Sequence, residues 1–372
     1  MPRSTRKKWI ALLPLLLLTL MLSASSGLSR LWLSNRSIAS DFSAETLLGL
    51  RDLQNESADL IARSLYRNPS TLYSPVASSG ASNANIDWEQ GRSKKWFIEE
   101  QRYAEERIVG GLIRNDSQAV LSGLNMIRWG FAQQQQDGSF EGTKDPFHST
   151  SFFVQAVARS LLVIQQSPQG WRYRGVVRSY IPLLHKAARW MIQPEVWERG
   201  IARNQPYTHR RYLVAAALGL TGKLTGDQEL LDYSRQMIEE GLSLQQENGV
   251  NPEKGGYDSS YQMVGIVFAE RWVVYFPDDP LTPSVKSMIE RGLTWQFSRI
   301  SPDGEVLAGG NTRTAGQEKN RSDVTKTVSQ RFVIRGLAYW AAATGESRWA
   351  EAAKRVVQYY YGGSSREDSS KV

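Results

Sequence analysis

The chain repeats itself, and the repeat unit is helical. Helical periodicity over 116–135 runs through QQQQDGSFEGTKDPFHSTS into a second helical stretch at 150–165. The same order returns three times: 173–193 into 209–223, 227–246 into 259–275, and 283–299 into 323–343, with 347–361 closing the series. Small residues at matching places, Gly130, Ala188, Gly241 and Gly292, stand 58, 53 and 51 residues apart. A helical hairpin exposes an apolar face that it cannot bury alone, so hairpins in series must stack. Strand-like alternation is nearly absent after Trp96. These features predict an all-α protein, an α/α toroid built as an incomplete barrel of five or six hairpins. The loops inside each hairpin are long, whereas the returns (SPQG, TGD, PDDP, TGES) are short. Long loops gathered on one rim are where such a scaffold carries a site.

Upstream of the repeat the sequence changes character. Arg3, Arg6, Lys7 and Lys8 precede an apolar run from Trp9 to Leu22, and Ser23–Gly27 is small and polar. This is the order of an export signal, read as a cleaved peptide or an uncleaved N-terminal membrane anchor over 1–26. The body of the chain is then extracytoplasmic: periplasmic, secreted or membrane-anchored. Residues 27–95 read as an amphipathic helix at 41–66 followed by a polar linker, 96–362 as the helical domain, and 363–372 as a disordered tail.

Composition removes several classes of function. The chain has no Cys, which excludes disulfides, a thiolate nucleophile and Cys-ligated metal or iron–sulfur clusters. Three His residues leave little for a His-rich metal site, and neither metal nor cofactor is expected. The net charge of +8 falls to +4 once the first 26 residues are set aside. No basic stripe with interleaved aromatics is present, so nucleic acid is not expected as a partner. A modest positive charge suits an acidic ligand. Phosphate-binding, dinucleotide-binding, serine-hydrolase and zinc-protease signatures are absent.

The architecture resembles the α/α toroids of polysaccharide lyases, several glycosidase families and terpenoid cyclases. Gln133–Phe140 (QQQQDGSF) is similar to the turn repeat of the cyclases. It occurs cleanly once and lacks the acidic protonation motif, so it reads as a turn in which Gly138 bends the chain and Asp137 satisfies backbone donors. A closer resemblance is to the alginate lyase and heparinase-like group. It rests on NQPYTHRRY (204–212), the following AALGLTGKLTGD, and GGYDSSYQ (255–262); the adjacent Asn-His pair of typical alginate lyases is missing. The resemblance implies an Asn/His pair before one inner helix and a Tyr before a later one.

Eliminative cleavage of a uronic-acid polymer needs a cation or amide to neutralise the sugar carboxylate, a base for the adjacent proton, and an acid for the leaving oxygen. The rim loops offer these types at equivalent points. Tyr261, His209, Asn204, Tyr257 and His148 are the candidate catalytic residues, and Arg210, Arg211, Asp258, Arg313 and Arg321 the candidate substrate-binding ones. A Tyr base, with an ordinary pKa near ~10, needs a cation beside it, which Arg210 or Arg313 could supply. His185 sits mid-helix and reads as structural. Two other readings stay open. A hydrolase would pair carboxylates across the cleft, drawn from Asp137, Asp145, Asp258, Glu253 and Glu318. A non-catalytic glycan-binding or exopolysaccharide-assembly protein would keep the groove without the chemistry. The sequence thus points to an exported protein acting on an acidic polysaccharide, with β-elimination the favoured activity.

Overall fold

The computed structural model describes residues 75–141, 145–314, 318–319 and 324–361. The expected export segment, the 41–66 helix, Arg321 and the 363–372 tail lie outside the described residues. Within them the chain is all-α, with twelve α-helices and no strands beyond isolated bridges.

The helices are α1 (Ala84–Glu89), α2 (Ala104–Arg114), α3 (Ser117–Ala132), α4 (Pro146–Gln166), α5 (Arg174–Met191) and α6 (Pro194–Asn204). They continue as α7 (Thr208–Thr225), α8 (Gln228–Leu244), α9 (Ser259–Tyr275), α10 (Thr282–Phe297), α11 (Gln330–Thr344) and α12 (Ser347–Tyr361). Sequence punctuation sets their ends. Asp116, Asp145, Asp227 and Asp258 each cap a helix N-terminus by accepting backbone N–H bonds. Pro opens α4, α6 and α10, where its missing N–H costs nothing. Asn115, Gly226 and Gly345 close their helices in the left-handed conformation.

Two kinds of helix alternate. α4, α7, α9 and α11 are buried around almost their whole circumference, while α5, α8 and α12 bury one stripe each. Each enclosed helix packs on the next: α2 on α4, α4 on α7, α7 on α9, and α9 on α11. Each also packs on its own flanking helix, and the small residues noted in the repeat mark those contacts. A Cβ at Gly130 would strike Phe153 of α4, one at Gly241 would strike Tyr212 of α7, and one at Gly292 would strike Gln262 and Ile266 of α9. α4 is long and apolar enough to cross a membrane on composition alone, but 89% of that stretch is covered by the other helices.

One turn recurs four times. In Ala77–Ala81, Gln135–Ser139, Gln246–Val250 and Ser301–Glu305, the first residue's N–H donates to the carbonyl of the last, at 2.8 to 2.9 Å. The fourth residue is always a Gly with φ between +88° and +105°. Each of these glycines lies flat on a backbone carbonyl of the next flanking helix, at Asn125, Lys186, Arg291 or Arg355, leaving no room for a Cβ. Sequence reading counted one such turn, in QQQQDGSF. The other three share the Gly and, in place of Asp137, carry Ser79, Asn248 or Asp303 just before it, a position whose side-chain oxygen accepts a local hydrogen bond in every copy.

Three segments differ from the sequence reading. The supposed linker to residue 95 contains α1 and the first of the four turns, so the folded region begins before Trp96. The loop 194–207 contains α6, whose Pro start and short amphipathic pattern fall within a polar stretch. α11 starts at Gln330 rather than 323, since 326–329 run without helical hydrogen bonding.

Candidate functional site

The N-terminal ends of α4, α7 and α9, together with the loop before α11, bring most of the named side chains together. His209, in the first turn of α7, is 2% exposed. Its Nδ1 lies 2.7 Å from Glu253 Oε1, which also accepts the His209 backbone N–H at 3.0 Å. A carboxyl that holds Nδ1–H fixes the tautomer and leaves Nε2 as the ring's basic nitrogen. Burial, reinforced by Arg313, Arg210, Arg211 and Lys326, holds His209 well below the ordinary imidazole range. Burial also pushes Glu253 up to about 8, against the pull of the His209 N–H, Arg313 and Arg210. Both directions describe a pair that stays neutral near pH 7 rather than a buried ion pair.

Tyr261, in the first turn of α9, stands against this pair, its ring centroid 4.7 Å from that of His209. The Arg313 guanidinium lies 3.5 Å above the Tyr261 ring, and Lys326 Nζ approaches the Tyr261 hydroxyl at 3.4 Å. Glu318 ties this side of the cluster together. It accepts from Lys254, from Lys326 at 2.7 Å, and from Arg313 Nε at 3.3 Å. Against the cost of burial, these donors hold Glu318 down at about 2. Arg313 also faces Glu253 Oε2 at 3.5 Å, so one guanidinium bridges a neutral carboxyl and an ionised one.

On the opposite side His148 packs its ring 6.5 Å from that of His209 and 4.8 Å from Phe152. Burial and the Arg210 charge hold it well below the ordinary range, and its Nδ1 has no hydrogen-bond partner. Arg210 stacks 4.2 Å from the Tyr207 ring, donates to Asn204 Oδ1 at 3.0 Å, and faces Asp145 at 3.5 Å. The Arg210 Nε and Asn204 Nδ2 donors are both buried without acceptors. A depression of about 350 Å³ adjoins this side, between Asp145, Phe147, Trp190 and Arg203.

Of five other residues named in the sequence, four serve other purposes and one falls outside the described residues. Arg211 turns away from the cluster and donates to the carbonyls of Asn204, Gln205 and Tyr207, which fixes the loop before α7. Asp258 is buried and fully engaged. It caps α9 through the Ser260 and Tyr261 N–H groups and anchors the 313–314 backbone. It therefore positions Tyr261 and Arg313 from below rather than meeting a ligand. Tyr257 donates to the Gly309 carbonyl at 3.2 Å and packs on Trp295, away from His209. Arg321 lies outside the described residues. His185 pairs with the α8 cap Asp227 at 2.7 Å, as a structural residue would.

Sequence reading did not single out Lys326, Tyr207 or Arg102, and it weighed Glu253 only as a hydrolytic acid. Glu253 had a signal available: an acid in NPEKGG, facing the polar start of α7 across a Gly-rich turn. Among the described residues, no three His, Asp or Glu side chains converge as a metal-binding set. No protein-family model matches the chain, and no curated protein or solved structure does either.

Proposed function

We propose that the protein is an α/α toroid whose long-loop rim cleaves a uronic-acid-containing glycan by β-elimination. The toroid part of this reading is supported by the succession of enclosed helices, each packed on the next. It is also supported by Glu106 of α2, which pairs with Arg331 and Arg335 of α11. The chemistry is carried by one observation: a Tyr ring and a neutral His ring stand side by side, with cations on both.

In the elimination, the C5–H bond of the uronate breaks as a base takes the proton. The electron pair forms the C4=C5 double bond, and the C4–O bond breaks while an acid protonates the departing oxygen. Nε2 of His209 and the Tyr261 oxygen are the base and acid. Glu253 fixes the imidazole orientation, and Arg210, with its unpartnered Nε, meets the sugar carboxylate. The anionic character that develops at the carboxylate falls in a region dominated by Arg210, Arg313 and Lys326.

The test is the ultraviolet band of an unsaturated uronate, followed while the full chain is incubated with alginate, pectate, hyaluronan and heparin. Tyr261→Phe and His209→Ala should each lower the rate by about 10²–10⁴. No absorbance on any of the four polymers would refute elimination. One observation favours hydrolysis as a second reading. The neutral Glu253 and ionised Glu318 flank one guanidinium, and divergent carboxyls of this kind mark an acid and a base. New reducing ends without new absorbance would decide for it.

A further inference from the structure

One helical turn below the site lies a separate cavity of about 120 Å³, between α2, α4, α9 and α11. Besides Tyr103, its wall carries three aromatic rings, one from each of α4, α9 and α11. Phe152 and Phe268 have centroids 6.1 Å apart, and Phe268 and Phe332 are 6.3 Å apart. Each ring carries a guanidinium: Arg102 at 5.1 Å from Phe152, Arg271 at 5.4 Å from Phe268, and Arg335 at 5.7 Å from Phe332. Arg331 also lines the space.

The charges in this cavity do not balance. Four guanidiniums line it, Arg102, Arg271, Arg331 and Arg335, against two lining carboxylates, Glu105 and Glu106, with Glu100 acting on Arg102 and the neutral Glu270 beside Arg271 from outside the lining. Glu105 is already bound by Arg271 at 2.7 Å and by Arg159, and Glu106 by Arg331 at 2.8 Å and Arg335 at 3.1 Å. Arg102 directs its donors to neutral oxygens, the Glu99 carbonyl and the Tyr103 hydroxyl. Gln155, 2% exposed, lines the cavity with its Oε1 accepting from Arg271, while its Nε2 finds no protein acceptor. Arg271 Nε is likewise buried without an acceptor. Burying cations and amide donors without acceptors is costly, and a bound acceptor group removes that cost. Guanidinium forks match the planar or tetrahedral oxygens of carboxylate, sulfate and phosphate.

We propose that this cavity is a second binding site that takes one oxyanion group. Pockets for whole small molecules run to about 300–1,000 Å³, so this space holds a single charged group rather than a sugar ring. His148 at the site above contacts Phe152 in the cavity wall, so the group arrives as a substituent of a ligand lodged above. The proposal rests on the glycan reading only for what carries the group. The cavity's own affinity for anions does not depend on it.

The experiment is calorimetric titration of the full chain with sodium sulfate, against sodium chloride at matched ionic strength. Saturable sulfate binding is expected. Arg331→Gln, at a partly exposed position, should weaken it at least tenfold. Gln155→Glu places a carboxylate beside Arg271, fills the same need from within, and should abolish binding without loss of the fold. Tyr261→Phe should leave sulfate binding as it is. Competition by glucuronate would assign the carried group as a carboxylate, and competition by a sugar sulfate ester alone would assign it as an ester. Absence of saturable binding, or wild-type affinity in either cavity variant, overturns the proposal. Sulfate binding without glycan cleavage would sink the chemistry above and leave the cavity standing, and cleavage without sulfate binding would do the reverse.

Discussion

Glu253→Gln isolates the buried pair at the centre of the site. The amide keeps an acceptor for the His209 backbone N–H and for Nδ1–H, so the geometry survives while the titration is removed. In the folded chain Glu253 keeps its proton up to about pH 8, whereas in the unfolded chain it releases it near the ordinary value of 4.5. Between those limits the folded state binds more protons, so the wild type loses stability as pH rises and levels off above about 8. The slope is about 1.4 kcal/mol per pH unit, or about 2 kcal/mol between pH 6.5 and 8. Below about 6.5, His209 and His148 act with the opposite sign. Their depressed folded values mean that the unfolded state binds the extra protons, so stability rises with pH there. Subtracting wild type from variant cancels the histidine contribution. Urea unfolding followed by the fluorescence of the 12 Trp residues, from about pH 6 to 8.5, measures both proteins. The variant should gain about 2 kcal/mol on wild type across pH 6.5 to 8. A constant difference over that range would mean that Glu253 is ionised throughout and paired with Arg313, and the neutral-pair reasoning would fall.

Three further outcomes follow from the packing. Gly249→Ala combines φ of +88° with a Cβ placed on the Arg291 carbonyl, whereas Gly226→Ala meets φ of +72° in open space. Denaturant midpoints should show a loss of about 1 kcal/mol for Gly226 and at least about twice that for Gly249, and equal losses would refute the close docking of the turn. Glu270, buried with neither oxygen partnered, is pushed by burial well above the carboxylate range, while Arg271 and Arg159 hold the buried Glu105 below its ordinary value. Glu270→Gln should therefore be nearly neutral in stability at pH 7 and Glu105→Gln should cost about 3–5 kcal/mol, and the reverse order would contradict the assigned charges. Asp227→Ala removes the α8 cap and the His185 partner, and should lower stability by about 1–2 kcal/mol in thermal unfolding.

The hairpin order was legible because apolar periodicity and the Gly, Asp and Pro stops are local properties of the sequence. The expected 259–275 and 347–361 helices coincide with α9 and α12. The gathering of His209, Tyr261, Arg210 and Arg313 at one end followed from the same bookkeeping, since each precedes or opens an enclosed helix. What each polar residue does there was not legible. Arg211 and Arg210 are neighbours in sequence, yet one fixes a loop and the other faces the cluster, a distinction set by a single 100° step of the helix. Asp258 looked like a ligand-facing acid because a capping Asp and a functional Asp are the same residue before the chain folds. The buried charges Glu105, Arg159, Arg271 and Arg335 were invisible for a related reason: a charged residue in an amphipathic pattern reads as solvent-facing until its partner, from 54 to 229 residues away, is known.

The four glycine turns bear on the order in which this chain can assemble. Each is stitched to the next flanking helix by a bond of middling sequence range. Asn125 reaches Ser78 over 47 residues, Gln134 reaches Leu183 over 49, Gln245 reaches Met288 over 43, and Tyr360 meets Val306 over 54. The bonds joining α2 to α11 span 225 and 229 residues. Loop-closure entropy grows with the logarithm of length, so these bonds close the longest loops, beyond those of Arg271 to Gln155 and Glu105 at 116 and 166 residues. Each hairpin can therefore recruit its neighbour like teeth of a zip, while the Glu106 clasp must wait for Arg331 and Arg335. A nascent chain held on the ribosome would have three of its turns docked before Arg331 and Arg335, which join α11 to α2, had been made.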